Sequence, residues 1–386
     1  MFSRNHPALR ALAFVAGNRD DAGRVLERVD WNRLARLAGT NRLMPALAEA
    51  SETYSSTFPK SLSEMLRRRK QRLATLNLGK GATLVKVCRA FRDAEIDFLA
   101  YKGCLLAEQF YGGVGNRQFV DIDLLVREND LQKAVQCLKG LGFEGDIPDD
   151  NQWRPFIDWE CEFDWVDPAS NIHLELHWRV LPRRHNTPLS TSMLFEETQN
   201  YRFGGEEIPV MSTENLLLCL ADHHGDKHHW ARLFWVLDIV RIIEGDSPID
   251  WSSLLSKARR LGCLRRLLLA LDLAARLSSR PLPGPCQSAI AQDRWVTWLS
   301  ERVISAYEAG SPPDIEKRAV LPTLLYGCVL RERLWERVQF LLYKALAPRG
   351  VDILAYPLHP ALHWSYWVLR PFLWLLKSIS RDVRHD

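Results

Sequence analysis

A chain of 386 residues with 47% hydrophobic and 25% charged residues has the composition of an ordinary globular protein, long enough for two or three domains with cores of their own. Its 51 basic and 47 acidic residues leave a net charge of only +4, which argues against a general nucleic-acid-binding protein. No run of about 18 uninterrupted apolar residues predicts a membrane-spanning helix, and no clean apolar stretch at the N-terminus predicts a secretory signal.

The eight cysteines are scattered along the chain and include no Cys-x-x-Cys pair. This spacing disfavours a zinc ribbon and favours reduced thiols. Together with the missing signal sequence, it predicts a cytoplasmic protein.

Residues 1–85 predict an N-terminal helical region. Asp30 is a candidate helix cap, and Leu34 and Leu37 follow it at a helical spacing. Further on, the basic run Arg67–Arg72 is typical of a solvated helix face.

The pattern changes from helical to strand-like near residue 96. The sequence then predicts a buried strand, a turn, a short helix, a glycine-rich loop and a second strand, in the order Ile96–Tyr101, Lys102-Gly103, Cys104–Tyr111, Gly112–Asn116 and Phe119–Val126.

Asp121 and Asp123 lie two residues apart in the second predicted strand. Successive side chains of a strand point to opposite faces, so both carboxylates leave the same face. Two neighbouring carboxylates repel each other and resist burial unless a cation lies between them. Hard oxygen ligands of this kind favour Mg²⁺ or Mn²⁺.

A predicted β-hairpin follows, with strands at Cys161–Val166 and Ile172–Val180, and a short strand near Ile208–Met211 ends this region. The second hairpin strand carries His173, Glu175 and His177 on one face. Two interpretations remain open: an exposed polar face, or a third carboxylate at Glu175 that faces the aspartate pair. Three carboxylates around divalent ions would suit in-line phosphoryl transfer.

From Ser212 onward the pattern is again helical, and a polar cluster occupies His223–His229. His224 and His228 have the i, i+4 spacing of a zinc site, but no His-Glu-x-x-His motif is present. The other interpretations are a patch facing nucleotide or acceptor, with Lys227 on a phosphate, and a solvated helix surface. Asp238 falls on an apolar face and could brace a helix–helix contact.

The order of strand, Lys-Gly turn, short helix, Arg117 and Asp-Ile-Asp-Leu-Leu-Val resembles the nucleotidyltransferase superfamily of the DNA polymerase β type. More narrowly, it resembles the little-characterised bacterial branch called the uncharacterised nucleotidyltransferase family. Further segments carry the same resemblance, namely Asp-Trp-Asn-Arg-Leu-Ala-Arg-Leu-Ala at 30–38, Glu-Leu-His-Trp at 175–178 and the His/Trp pattern from His224 to Asp238.

The resemblance implies that Asp121, Asp123 and Glu175 are catalytic residues and metal ligands. Glu175 would then also help to deprotonate the acceptor hydroxyl. The implied cofactor is Mg²⁺ or Mn²⁺, and the implied substrate is an NTP, with ATP favoured.

The resemblance places Lys102 and Gly103 against the triphosphate, where glycine lets the backbone approach an anion closely. Lys102 departs from the Gly-Ser pattern of better-studied relatives, which puts the transfer of their loop geometry in doubt. Arg117 is a candidate for binding phosphate or holding the aspartates, or equally for a structural ion pair. Lys227 is a further candidate for phosphate.

The predicted function is transfer of a nucleoside monophosphate from an NTP to an acceptor hydroxyl with release of pyrophosphate, and the acceptor remains open between a small molecule, a peptide and a protein. One alternative is a nucleotide-binding scaffold without activity. Another is a zinc hydrolase using His173, Glu175 and His177, although it leaves the aspartate pair unexplained.

The predicted fold is α+β, with a small mixed-sheet core at 86–212 between an N-terminal helical region at 1–85 and a C-terminal helical domain at 213–386. The aromatic segment Tyr356–Leu376 is a candidate for contact with a partner or a membrane surface, or for a helix packed on the domain. The sequence does not fix the oligomeric state.

Overall fold

The computed structural model describes residues 7–17, 25–27, 29–278, 280–309 and 320–372. It has an α+β fold in which a mixed sheet lies among many helices, and this confirms the predicted fold class. The predicted division at residues 85 and 212 remains a prediction.

The N-terminal region is helical, with α1 at Pro7–Gly17, α2 at Trp31–Thr40, α3 at Met44–Thr53 and α4 at Lys60–Asp93. The prediction for Asp30 is confirmed, because its Oδ1 accepts a hydrogen bond from the Arg33 amide at 3.0 Å and caps α2. Helix α4 has 34 residues, so it is about 51 Å long and continues without a break through residue 85.

The main sheet has five strands in the order β1-β2-β5-β4-β3. The strands are β1 at Phe98–Ala100, β2 at Asp121–Val126, β3 at Glu144–Gly145, β4 at Glu162–Asp167 and β5 at Ile172–His177. Strands β4 and β5 form the predicted antiparallel hairpin, while β2 and β5 run parallel. The sheet is therefore mixed.

The parallel pairing of β2 with β5 decides where the functional side chains lie. In this register Asp123 stands opposite Glu175 and Asp121 opposite His173. The intervening apolar residues, among them Ile122 and Leu124, are buried and anchor β2 in the core. The polar face of both strands is thereby turned to one side of the sheet.

A second, two-stranded sheet pairs β6 at Thr198–Phe203 with β7 at Glu206–Met211. The sequence predicted only the second of these strands, and β7 lies against β1.

The remaining helices fill both sides of the sheet and the C-terminal region. They are α5 at Gly103–Tyr111, α6 at Leu131–Gly140, α7 at Asp150–Trp159, α8 at Thr191–Glu196, α9 at Thr213–Asp222, α10 at Leu233–Ile243, α11 at Trp251–Leu261, α12 at Leu264–Ser278, α13 at Gly284–Gln292, α14 at Arg294–Glu308, α15 at Val320–Leu330, α16 at Leu334–Leu346 and α17 at Gly350–Ala355. The segment 251–277 of the predicted C-terminal helical domain consists of two helices, because Gly262 ends α11 with a φ of +85°.

All eight cysteines carry free thiols, as the sequence predicted.

Of the helices that the structure describes, none combines the length and the apolar character needed to cross a membrane. Several large apolar side chains of the C-terminal helices are exposed, including Leu334, Trp335 and Trp364. Contact of the segment Tyr356–Leu376 with a partner or a membrane surface remains a prediction, and its residues after 372 lie outside the described part of the chain.

Candidate active site

A cleft of about 310 Å³ opens where β2 and β5 meet helices α5 and α10. The residues that the resemblance implies for catalysis, metal binding or phosphate binding all line it: Lys102, Gly103, Arg117, Asp121, Asp123, Glu175 and Lys227. The cleft is also lined by Arg42 and Arg232, which no motif indicated, and by Trp235 of the His/Trp pattern.

The carboxylates of the cleft are crowded and only partly compensated. Burial, together with the neighbouring charges of Asp123 and Glu175, raises the pKa of Asp121 to about 7. Asp121 therefore exchanges a proton near neutral pH and would be held as a carboxylate by an added cation. This is the electrostatic condition under which a divalent metal binds well.

Lys102 supplies the local counter-charge for Asp123. Its Nζ lies 3.1 Å from Asp123 Oδ1, and both side chains are buried. Burial alone would raise the pKa of Asp123, but the ammonium of Lys102 and a hydrogen bond from His177 outweigh it and lower the pKa to about 2. The sequence predicted this lysine at a phosphate, and the structure places its amine on the carboxylate and at the edge of the cleft.

The Lys102-Gly103 turn brings the start of α5 directly against β2. Lys102 has a φ of +57° and Gly103 a φ of +41°, which is the left-handed region that side chains rarely adopt. A Cβ on Gly103 would lie 3.1 Å from the backbone oxygen of Asp121. Glycine is required here both by the backbone angle and by this close approach.

His177 lies beneath the carboxylates and is fully buried. Its Nε2 is 3.1 Å from Glu175 Oε2 and 3.4 Å from Asp123 Oδ1, and its Nδ1 is 3.1 Å from Glu162 Oε2, although that last contact is out of line for a hydrogen bond. Burial lowers the pKa of His177, but hydrogen bonds to Asp123 and other partners raise it well above its usual range. The imidazolium therefore helps to hold the carboxylates in place.

Arg117 forms a two-pronged ion pair with Asp238 of α10, with both nitrogen–oxygen distances 2.7 Å. Tyr111 donates a third hydrogen bond to the same carboxylate at 2.6 Å. Of the alternatives left open for Arg117, the structure displays the structural ion pair, and the bracing role considered for Asp238 is the one observed. A contact of Arg117 with phosphate remains a prediction.

The polar cluster 223–229 forms an irregular turn after α9 at the rim of the cleft. Lys227 Nζ lies 3.0 Å from Glu162 Oε1, and Lys102 Nζ lies 3.3 Å from His223 Nε2. His224 and His228 stack on Trp235 at ring-centroid distances of 5.4 and 4.4 Å. Burial, together with the cations nearby, holds the pKa of His223 and His224 well below the usual range, so both imidazoles are neutral.

The sequence matches a known protein family over most of its length. The family described as "Uncharacterised nucleotidyltransferase" matches residues 27–279, about two thirds of the chain. The chain belongs to this family. The predicted relationship is thereby confirmed, and the chain is a nucleotidyltransferase in the general sense that the family description carries.

Among solved structures, this nucleotidyltransferase is similar to the solution structure of the antibiotic-resistance factor ANT(2'')-Ia, at 13% identity and a TM-score of 0.29, over 60% of this chain and 95% of that chain. It is also similar to an antigenic nucleotidyltransferase-like protein from Paracoccidioides brasiliensis, at 16% identity and a TM-score of 0.36, over 56% and 92% of the two chains. No curated protein matches the chain.

The donor atoms of the nucleotidyltransferase cleft fit a divalent cation. Asp123, Glu175 and His177 each offer a ligand atom, and these atoms lie within 4.8 Å of one another. Cys161, Glu162 and His177 form a second such group, and among the described residues His173 belongs to neither. The sequence predicted Asp121 as a metal ligand and considered His177 only for a zinc site. Asp121 lies close to the group of Asp123, Glu175 and His177, since the charges of Asp123 and Glu175 both raise its pKa.

Two further arginines, Arg42 and Arg232, add positive charge to the lining of the cleft. Arg42 follows α2, far from the catalytic motifs, and its guanidinium lies over the ring of Phe234 at 5.4 Å. Burial lowers the pKa of Arg42, and the nearby Arg232 lowers it in the same direction. Sequence reasoning missed both arginines, because neither belongs to a motif and only the tertiary fold brings them to the cleft.

Proposed function

We propose that this nucleotidyltransferase moves a nucleoside monophosphate from an NTP, with ATP favoured, to an acceptor hydroxyl and releases pyrophosphate. The observation that carries the proposal is the parallel register that sets Asp123 beside Glu175, with Asp121 and the arginines Arg42 and Arg232 lining the same cleft. Carboxylates and cations in one cleft suit a metal–triphosphate complex.

Asp121, Asp123 and Glu175 would hold Mg²⁺ or Mn²⁺. His177 is an imidazolium beside these carboxylates, so its nitrogen would bind the metal only after the metal displaced its proton. The metal would supply neutralisation of the triphosphate and activation of the acceptor hydroxyl. Lys102 then has a second role, because a cation at Asp123 would release its amine toward the β- and γ-phosphates.

The remaining residues of the cleft would bind and orient the triphosphate. Gly103 presents the start of α5 to the triphosphate, and Arg42 and Arg232 of the same cleft would contact the phosphates. Lys227 would exchange its ion pair with Glu162 for an ion pair with a phosphate. Glu175 takes the proton of the acceptor hydroxyl; like Asp121 it is half-buried, whereas Asp123 is buried.

The test measures Mg²⁺- or Mn²⁺-dependent incorporation of label from each of the four NTPs, labelled at the α-phosphate, into cell-extract components. Asp121→Ala and Asp123→Ala are each expected to reduce incorporation by about 10³-fold or more, because a metal ligand is lost. Asp97→Asn, an exposed aspartate just before β1, serves as the matched control and is expected to keep full activity.

Full incorporation by both aspartate variants would rule out the proposed metal site. Metal-dependent NTP binding without transfer to any component would instead favour the nucleotide-binding scaffold. Tightly bound zinc in stoichiometric amount would favour the hydrolase, although His173, which that alternative needs, is exposed and outside both ligand groups.

A further inference from the structure

A second depression lies beside the cleft, along the first half of α4. It has a volume of about 650 Å³, and we call it the α4 groove. Its apolar lining comes from Met44, Met65, Leu73 and Leu76. Met65 and Leu76 are 40% and 57% exposed, so these apolar side chains have little cover among the described residues.

The rim of the α4 groove is strongly basic. Arg68, Arg69 and Arg72 line it, all three are exposed, and none of them has an ion pair or hydrogen bond with any described residue. Lys70, also at the rim, is neutralised by Glu52 at 3.1 Å. The run Arg67–Arg72 was expected to be a solvated face, and its members Arg68, Arg69 and Arg72 thus border an apolar surface with uncompensated positive charge.

The α4 groove and the active-site cleft adjoin at two points. Gln118 lines both of them. In addition, Arg42 lines the cleft while Met44 and Pro45, two and three residues later, line the groove. A chain lying in the groove could therefore extend a side chain past Gln118 to the carboxylates.

We propose that the α4 groove binds the acceptor and that the acceptor is an acidic peptide segment with apolar side chains, carrying the hydroxyl that is modified. This rests on the proposed function. Carboxylates of the peptide complement the free arginines, while its apolar side chains cover the Met and Leu surface; methionine-lined grooves adapt well to such peptides. A nucleic acid fits less well, because the described residues that line the groove include no aromatic side chain to stack on a base.

The transfer step balances with the groups already named. The peptide hydroxyl oxygen forms a bond to the α-phosphorus of the NTP, the bond from that phosphorus to the bridging oxygen breaks, and pyrophosphate leaves with the electron pair. Glu175 takes the hydroxyl proton. The α4 groove contributes only affinity and position for the acceptor.

Binding is measured without NTP, so that this inference and the proposed function can fail separately. The probe is a fluorescent synthetic peptide rich in glutamate, leucine and serine, followed by fluorescence anisotropy. We expect it to bind the wild-type protein, to bind Arg68→Glu/Arg72→Glu about tenfold or more weakly, and to lose affinity as salt rises. A peptide with lysine in place of glutamate is expected not to bind.

The matched control is Arg67→Glu/Lys86→Glu, which makes the same change of charge on the same helix at exposed positions outside the α4 groove. Equal affinity of the acidic peptide for both double variants would overturn the inference, even if NTP binding at the cleft were intact. Tighter binding of a uridine oligonucleotide than of the peptide, with the same dependence on Arg68 and Arg72, would overturn it in favour of a nucleic-acid acceptor.

Discussion

Arg117 and Asp238 form an ion pair that solvent hardly reaches: the side chains are 6% and 0% exposed. An isolated buried charge is far more costly than a buried pair, because its desolvation has nothing to offset it. Asp238→Asn is therefore expected to destabilise the protein by about 3–5 kcal/mol in urea unfolding at neutral pH.

The control for this residue pair is Arg117→Met/Asp238→Leu, which removes both charges. It should recover most of the lost unfolding free energy, since an apolar pair of similar size is often neutral. If the double variant were as unstable as Asp238→Asn, the cost would lie in packing and not in the unpaired charge. Because the double variant is expected to fold, its NTP affinity also measures the predicted phosphate role of Arg117.

The relative placement of side chains close in sequence was predictable, whereas contacts between residues distant in sequence were not. The alternation of a strand puts Asp121 and Asp123 on one face, which is a local property. The pairing of Lys102 with His223 joins residues 121 positions apart, and no local pattern carries it. The role of Lys102 was accordingly predicted at the phosphates and not at Asp123.

At the scale of elements, the turn into α5 depends on Gly103. Gly103→Ala would place a Cβ in a left-handed backbone and against the Asp121 carbonyl, so we expect a loss of about 1–3 kcal/mol in stability. In the proposed function this turn holds Lys102 and the start of α5 against the triphosphate, so NTP affinity measured by calorimetry should fall as well.

Gly140→Ala, at the end of α6, is the matched control for the turn, since a Cβ there has no neighbour within 4 Å and the backbone is not left-handed. It should leave NTP affinity unchanged and alter stability by less than about 1 kcal/mol. Unchanged NTP affinity in Gly103→Ala would mean that the turn does not contact the nucleotide.

Two features of the fold were not predicted: strand β6, which has a weak apolar pattern, and the break between α11 and α12. Strand β6 reads Thr-Gln-Asn-Tyr-Arg-Phe and is largely exposed, so burial leaves no alternation in it. The Gly204-Gly205 turn after it was the available signal for a hairpin. Gly262 similarly marked the end of α11, because a left-handed glycine commonly follows a helix.

At the scale of the whole molecule, a buried polar network joins the segment after β5 to the C-terminal helices. His185 Nδ1 lies 2.9 Å from Asp226 Oδ2, Arg331 holds the same aspartate, and Lys344 Nζ lies 3.4 Å from His185 Nε2. Burial, and then the charge of Lys344, lower the pKa of His185 to about 3. His185 is thus neutral, donating from Nδ1 and accepting at Nε2.

Protonation of this histidine opposes folding. An unfolded histidine has a pKa near 6.5, so between about pH 6.5 and pH 3 the unfolded chain binds the extra proton. The contribution of neutral His185 to the unfolding free energy is complete above pH 6.5 and is lost as pH falls toward 3. We expect the unfolding free energy to drop by about 2 kcal/mol between pH 6.5 and 5 on account of His185.

His185→Gln keeps a donor and an acceptor without titrating, so its unfolding free energy in urea should depend less steeply on pH over the same window. His223 and His224 are also buried and neutral, and they leave a residual slope of the same sign in the variant. An identical pH dependence in the wild type and in His185→Gln would contradict the assignment of the effect to this network.

Helix α4 limits how far the molecule can be divided. Asn77 donates hydrogen bonds to the carbonyls of Val114 and Arg117, and Lys80 donates one to the carbonyl of Phe119. These contacts fix the segment that enters β2 at Asp121. A fragment reduced to the α/β core from residue 86 would keep every metal-ligand candidate and lose these hydrogen bonds, so we expect it to hold Asp121 and Asp123 less firmly than the longer chain does.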